Sequence, residues 1–175
     1  MLHARTLVER PVVADVATLS EIPDGVEGTR ETLRMMSDIV SRAKVSPAII
    51  ALARAITQPL RGKDYVGEVR AVQQWVRRHV RYVRDVRGVE TLSDPEYTVR
   101  SRAGDCDDHS MLVAALLEAI GHATRFIAVG RTALNYSHVY AETKIGSQWR
   151  AVETTMDWPL GRAPELPYRM VEHIR

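Results

Sequence analysis

The chain has 175 residues, 45% of them hydrophobic and 26% charged, with 24 basic residues against 22 acidic ones. This is the composition of a folded, water-facing protein long enough for one apolar core, rather than of a disordered or membrane-spanning one. The basic residues are arginine except for Lys44, Lys63 and Lys144, but the near-balance of charge lacks the excess of a dedicated nucleic-acid binder, which leaves nucleic acid a minor option.

Residues 1–28 alternate loosely and end in Ile22-Pro23-Asp24-Gly25, the pattern of a short strand followed by a turn. Met1 to Arg10 lacks the apolar stretch of a signal peptide, and no run approaches the roughly 18 apolar residues of a membrane span. A cytoplasmic protein without a membrane partner is the expectation. From Thr29, a candidate N-cap, Leu33, Met36, Ile39, Val40 and Ala43 recur at three and four, which predicts a helix. Ser46-Pro47 opens a second helix that Gln58-Pro59 stops. Residues 1–65 therefore read as a strand and helical hairpin packed on a core of residues 66–175, within one compact domain.

After Arg61-Gly62-Lys63-Asp64 a third helix carries Val69, Val72, Val76, Val80 and Val83 on one side, widened by Trp75 and Tyr82. Arg70, Arg77, Arg81 and Arg84 fall opposite and read as a solvated face, with an RNA or DNA contact as the alternative, and His79 falls on the apolar side. A loop through Gly88 and Asp94-Pro95 leads to Gly104. From Met111 to Leu117 every residue is apolar, so the helix opened by Asp105 is expected to be buried nearly all round, closed by Gly121, with His122 at the surface beyond it. Three strand candidates follow, Thr124 to Val129, Ser137 to Thr143 and Gln148 to Thr154; irregular chain from Pro159 to Pro167 wraps the end.

Cys106 is the one cysteine, which rules out an intramolecular disulfide and a zinc site of several thiolates. With Asp105 as N-cap, Cys106 takes the first helical position, where unpaired N–H groups and the macrodipole favour negative charge. The dipole contributes about 0.3–1 kcal/mol, less than one pKa unit at about 1.4 kcal/mol, so an active thiol needs a cationic partner. Asp105, Asp107 and Asp108 oppose a thiolate. A lone cysteine is more often a small buried hydrophobe, but Gly104-Asp105-Cys106-Asp107-Asp108 sets this thiol in a polar stretch just before a buried helix, the setting of a nucleophile. As a metal site, Asp105 to His109 lacks a second spaced pair and the pattern of a calcium loop, so neither metal nor other cofactor is expected.

Of His3, His79, His109, His122, His138 and His173, His138 stands out on an alternating strand that returns after a short turn as Trp149-Arg150-Ala151-Val152-Glu153. A turn at Ile145-Gly146, or a looser loop from Lys144 to Ser147, sets His138 opposite Glu153; a turn at Gly146-Ser147 sets Glu153 opposite Tyr140, one pair along on the same face. Either register lets a carboxylate orient the imidazole. His109 is the rival base, and Glu142 and Asp157 are alternative acids.

Arg102-Ala103-Gly104-Asp105-Cys106-Asp107-Asp108, Leu112 to Gly121, Arg125 to Gly130, Ser137 to Glu142 and Trp149 to Thr154, in this order, resemble the transglutaminase-like superfamily, and within it bacterial and phage-associated cysteine peptidases. The resemblance implies an α+β, papain-like core in which the cysteine helix packs on a small antiparallel sheet, with an N-terminal helical region. It implies Cys106 as nucleophile, His138 as base and Glu153 as orienting acid, with Asp105 in support and Tyr97 as a candidate oxyanion donor beside the Cys106 N–H. The implied function is thiol-dependent acyl transfer on a protein or peptide through an acyl-thioester, with hydrolysis favoured over crosslinking and phage structural proteins among the possible partners. The family's usual aspartate is Glu153 here. With the three aspartates around the thiol, that departure motivates the alternative of an assembly module that keeps the fold without the chemistry.

Overall fold

The first helix begins one turn ahead of its apolar period: α1 spans Gly25–Ala43 and buries Leu33, Met36, Ile39, Val40 and Ala43. The computed structural model describes residues 5–8, 18–21, 25–84 and 89–174. Of the N-terminal strand-and-turn segment, the parts inside that range are β1 (Arg5–Val8) and β2 (Thr18–Glu21), paired antiparallel. α2 (Pro47–Thr57) starts as its sequence dictates, with Pro47 in the first turn and the Ser46 hydroxyl accepting from the Ala48 N–H.

α3 (Tyr65–His79) is shorter than its valine stripe predicts. Val80 turns extended, and Arg81–Tyr82 form β3, paired parallel with β5 (Ala103–Gly104). The Arg81 N–H reaches the Arg102 carbonyl at 2.8 Å and the Val83 N–H reaches Gly104 at 2.9 Å. Val80, Tyr82 and Val83 are β-branched or aromatic, so a strand partner outweighs one more helical turn. The basic row is thereby divided: Arg81 and Arg84 leave the helix, and Arg77 pairs with Asp157. His79 is not in the core but exposed, stacked on Trp75 at 4.5 Å between ring centroids.

The expected loop before Gly104 holds β4 (Val89–Leu92), parallel to β1, and α4 (Pro95–Ser101), N-capped by Asp94. α5 (Cys106–Ala119) runs through the centre: Met111 to Leu117 are all 0% exposed, and α1, α2, α3, α4 and the sheet surround them. Each such leucine contributes about 1.5–3 kcal/mol by burial. Gly121 (φ 93°) ends the helix, and His122 beyond it is buried rather than exposed, held by Glu68 at 2.8 Å.

The main sheet is antiparallel in the order β8-β7-β6-β9, from β6 (Thr124–Thr132), β7 (Asn135–Ile145), β8 (Gln148–Val152) and β9 (Tyr168–His173). β9 follows the proline-rich wrap and was not foreseen. Phe126, Ala128, Val139, Ala141, Val152 and Met170 join the cluster around α5; Ile127, Val129, Tyr140 and Ala151 form a second cluster under Ala163 and Leu166. No helix among the described residues is long and apolar enough to cross a membrane.

Candidate active site

The first turn of α5 is tied down by its own carboxylates. Asp105 Oδ1 accepts the N–H of Asp107 at 3.0 Å and of Asp108 at 3.2 Å, and Asp108 Oδ2 accepts the Asp105 N–H at 3.4 Å, completing a capping box. Asp108 Oδ1 also accepts the Ser93 N–H at 2.8 Å. Gly104 leaves room for this: a Cβ there would lie 2.5 Å from Asp108 Cβ. Asp105 and Asp108 are thus engaged with backbone amides, while Asp107 Oδ1 accepts from the thiol at 3.6 Å.

Helical spacing puts Cys106, His109 and Ser110 on one face of that turn. β8 ends at Val152, opposite Ala141, so Val139 lies beyond the last β8 partner. Its backbone faces α5 instead: the carbonyl accepts the Ser110 hydroxyl at 3.3 Å, and the N–H lies near enough to the Cys106 sulfur to favour a thiolate, though outside bonding geometry. The start of the cysteine helix therefore abuts the β7 residue next to His138.

His138 Nε2 meets Glu153 Oε2 at 2.7 Å. The pairing of Ala141 with Val152 fixes the Gly146-Ser147 turn, the second of the two registers, with Glu153 one pair along from His138. Glu153 is 1% exposed, and its Oε1 accepts both the N–H of Thr155 at 2.7 Å and its hydroxyl at 2.8 Å. Burial alone would raise this carboxyl, but the hydrogen bond and charge of His138 and the Thr155 donors outweigh it and hold it below the ordinary value. The thiol goes the other way. Burial first, then the charges of Asp107 and Asp105, push Cys106 well above its ordinary value, against the Val139 N–H that favours a thiolate. The resting group is a neutral thiol.

Two neighbours complete the surroundings. His109, 1% exposed, meets the Thr154 hydroxyl through Nδ1 at 3.2 Å; its Nε2 has no hydrogen bond among the described residues, the Arg81 carbonyl lying near but outside bonding geometry. Burial lowers its pKa to about 4, so the ring is neutral near pH 7; the charge of Glu153 opposes that shift. Tyr82 stands edge-on to His109, and its hydroxyl is raised by burial and then by the charge of Cys106. Sequence periodicity had assigned Tyr82 to a helix face; the signal for its place was the extended character of Val80 to Val83 just before the polar run that ends in Cys106.

Tyr97 lies exposed on α4 with the Arg100 guanidinium over its ring. Glu142 is held by Arg125 and Arg169, and Asp157 by Arg77, which engages both alternative acids elsewhere. Asp105, Cys106 and Asp107 bring three potential metal-ligand atoms within 4.8 Å of one another, but Asp105 Oδ1 serves the helix amides and Asp107 Oδ1 the thiol.

A family model described as the transglutaminase-like superfamily matches residues 50–154. No curated protein matches the chain in sequence. A Parabacteroides distasonis structure provisionally described as a protease superposes with a TM-score of 0.57 at 13% identity, over 82% of this chain and 30% of that one. One from Cytophaga hutchinsonii, provisionally described as a cysteine protease, gives 0.48 at 21% identity over 62% of this chain and 37% of that one. A structure described as a TGase gives 0.44 at 14% identity over 78% and 35%. The chain spans 30 to 37% of the length of these solved proteins. The Parabacteroides likeness speaks to the fold: a cysteine helix packed on an antiparallel sheet beside N-terminal helices.

Proposed function

The chain belongs to the transglutaminase-like superfamily, and on that footing we propose that it is a thiol-dependent acyl-transfer enzyme, a cysteine peptidase or amidase acting on a protein or peptide. The observation that carries this reading is the 2.7 Å contact of His138 Nε2 with Glu153, on the residue next to Val139, whose carbonyl accepts the Ser110 hydroxyl of the cysteine helix.

With Nε2–H donated to Glu153, Nδ1 of His138 carries the lone pair and takes the thiol proton. The sulfur then attacks the scissile carbonyl, and its C=O π electrons move onto oxygen. The Cys106 N–H, which at the first helical position has no acceptor within the helix, and the Tyr82 hydroxyl supply hydrogen bonds to that oxyanion. Collapse breaks the C–N bond, the imidazolium gives its proton to the departing amine, and an acyl-thioester remains. Water, deprotonated by the same imidazole, hydrolyses it and restores the thiol. Because the resting thiol is neutral, His138 acts as a general base within the step rather than as half of a standing ion pair.

A second reading, an assembly module without the chemistry, draws on that same elevation of the thiol and on glutamate in place of the family's aspartate. Iodoacetamide labelling across pH separates the two. The enzyme is expected to alkylate at neutral pH faster than His138→Ala; matching profiles with the midpoint of an ordinary thiol would favour the module.

A further inference from the structure

Two features outside the triad relate the start of α5 to β7. One is the Val139 N–H, which lies near the Cys106 sulfur and favours its thiolate. The other belongs to Ser110, 4% exposed, whose hydroxyl proton is shared between the Cys106 carbonyl at 2.7 Å and the Val139 carbonyl at 3.3 Å.

We propose that Ser110 is a positioning residue whose hydroxyl bridges the backbone of the nucleophile to that of the residue after His138, setting where the sulfur stands relative to the imidazole. The inference rests on the triad reading above. A serine inside a helix commonly bonds only the carbonyl four residues back, a local contact that slightly disfavours the helix. This one also reaches another element, at the point where β8 has ended and Val139, paired with Ala128 of β6, has no partner on the β8 side. The bridge and the N–H near the sulfur use both polar groups of one Val139 backbone, so a slip of the helix along β7 disturbs them together. A displacement of about 1 Å at a nucleophile can cost on the order of 10²-fold in rate, which makes such a tie consequential.

A serine that merely satisfied the Val139 carbonyl would affect melting, not the pH profile of the sulfur. The test is iodoacetamide labelling of the full chain, where Cys106 is the one cysteine, between pH 5 and pH 10. Wild type, Ser110→Ala, Ser110→Thr and His138→Ala are compared, with thermal melts as the control. Ser110→Ala is expected to label about tenfold more slowly at neutral pH, with its profile displaced toward that of His138→Ala. Ser110→Thr, which keeps the hydroxyl, is expected to follow wild type. If Ser110→Ala keeps the wild-type profile while His138→Ala is slowed, the positioning role falls and the triad stands. A Thr variant as slow as His138→Ala, with an unchanged melt, also overturns the role. If His138→Ala itself matches wild type, the triad reading fails and this inference with it.

Discussion

Glu153 reaches His138 Nε2 at 2.7 Å across an offset, because the register that sets Ala141 against Val152 leaves the acid one pair along from the histidine. A glutamate has one methylene more than an aspartate, about 1.5 Å of reach, and here that length spans the diagonal. The departure from the family's aspartate is therefore a match to this hairpin.

Glu153→Asp is expected to slow labelling of Cys106 at neutral pH about tenfold, and Glu153→Gln, which removes the charge facing the imidazolium, by about a hundredfold or more. Rates from intact-mass spectra decide the matter. An aspartate variant as fast as wild type would show that side-chain length is irrelevant.

Tyr82→Phe removes a hydroxyl within the field of the Cys106 sulfur and leaves the ring that stands against His109. Once a peptide substrate is identified, kcat should fall about ten- to a hundredfold with KM nearly unchanged, since the contact forms with the developing oxyanion. A change in KM alone would assign Tyr82 to substrate binding.

Stability should fall with acid because of His109. Its folded pKa of about 4 lies below the ordinary 6.5, so its contribution is complete above pH 6.5 and declines as pH falls toward 4. The loss amounts to about 3 kcal/mol by pH 4. Urea midpoints for wild type and His109→Gln between pH 7 and pH 4.5 provide the check: the variant should give the flatter curve, and parallel curves would locate the acid sensitivity elsewhere.

Gly104→Ala should destabilise the fold by about 1–3 kcal/mol, because the new methyl would stand 2.5 Å from Asp108 Cβ, an atom fixed by the backbone. Thermal denaturation measures it. An unchanged melting temperature would mean that β5 moves aside at no cost.

The cysteine helix, its cap and the hairpin were legible because each is specified locally: Asp105 three residues before Asp108, the apolar run Met111 to Leu117, the alternation around His138. Tyr82 was not, since Val76, Val80 and Val83 continue a helical period, and only the distant carbonyls of Arg102 and Gly104 make the segment a strand. α4 was hidden for the opposite reason. Asp94-Pro95 is both a turn signal and a helix start, and the deciding amide, that of Glu96 on Asp94 Oδ1 at 2.8 Å, is visible only in three dimensions. β9 exists through pairing with β6, and His122 is buried through Glu68, neither of them neighbours in sequence.

The capping box that starts α5 is built from Asp105, Asp108 and backbone amides, and the sulfur is no part of it. Shape and reactivity at this point are separately encoded. On the proposed acyl-transfer chemistry, exchanging the sulfur for oxygen, as in Cys106→Ser, should yield a silent twin with the native melting curve that grips the same substrate without processing it, ready-made bait for capturing that substrate from a cell extract.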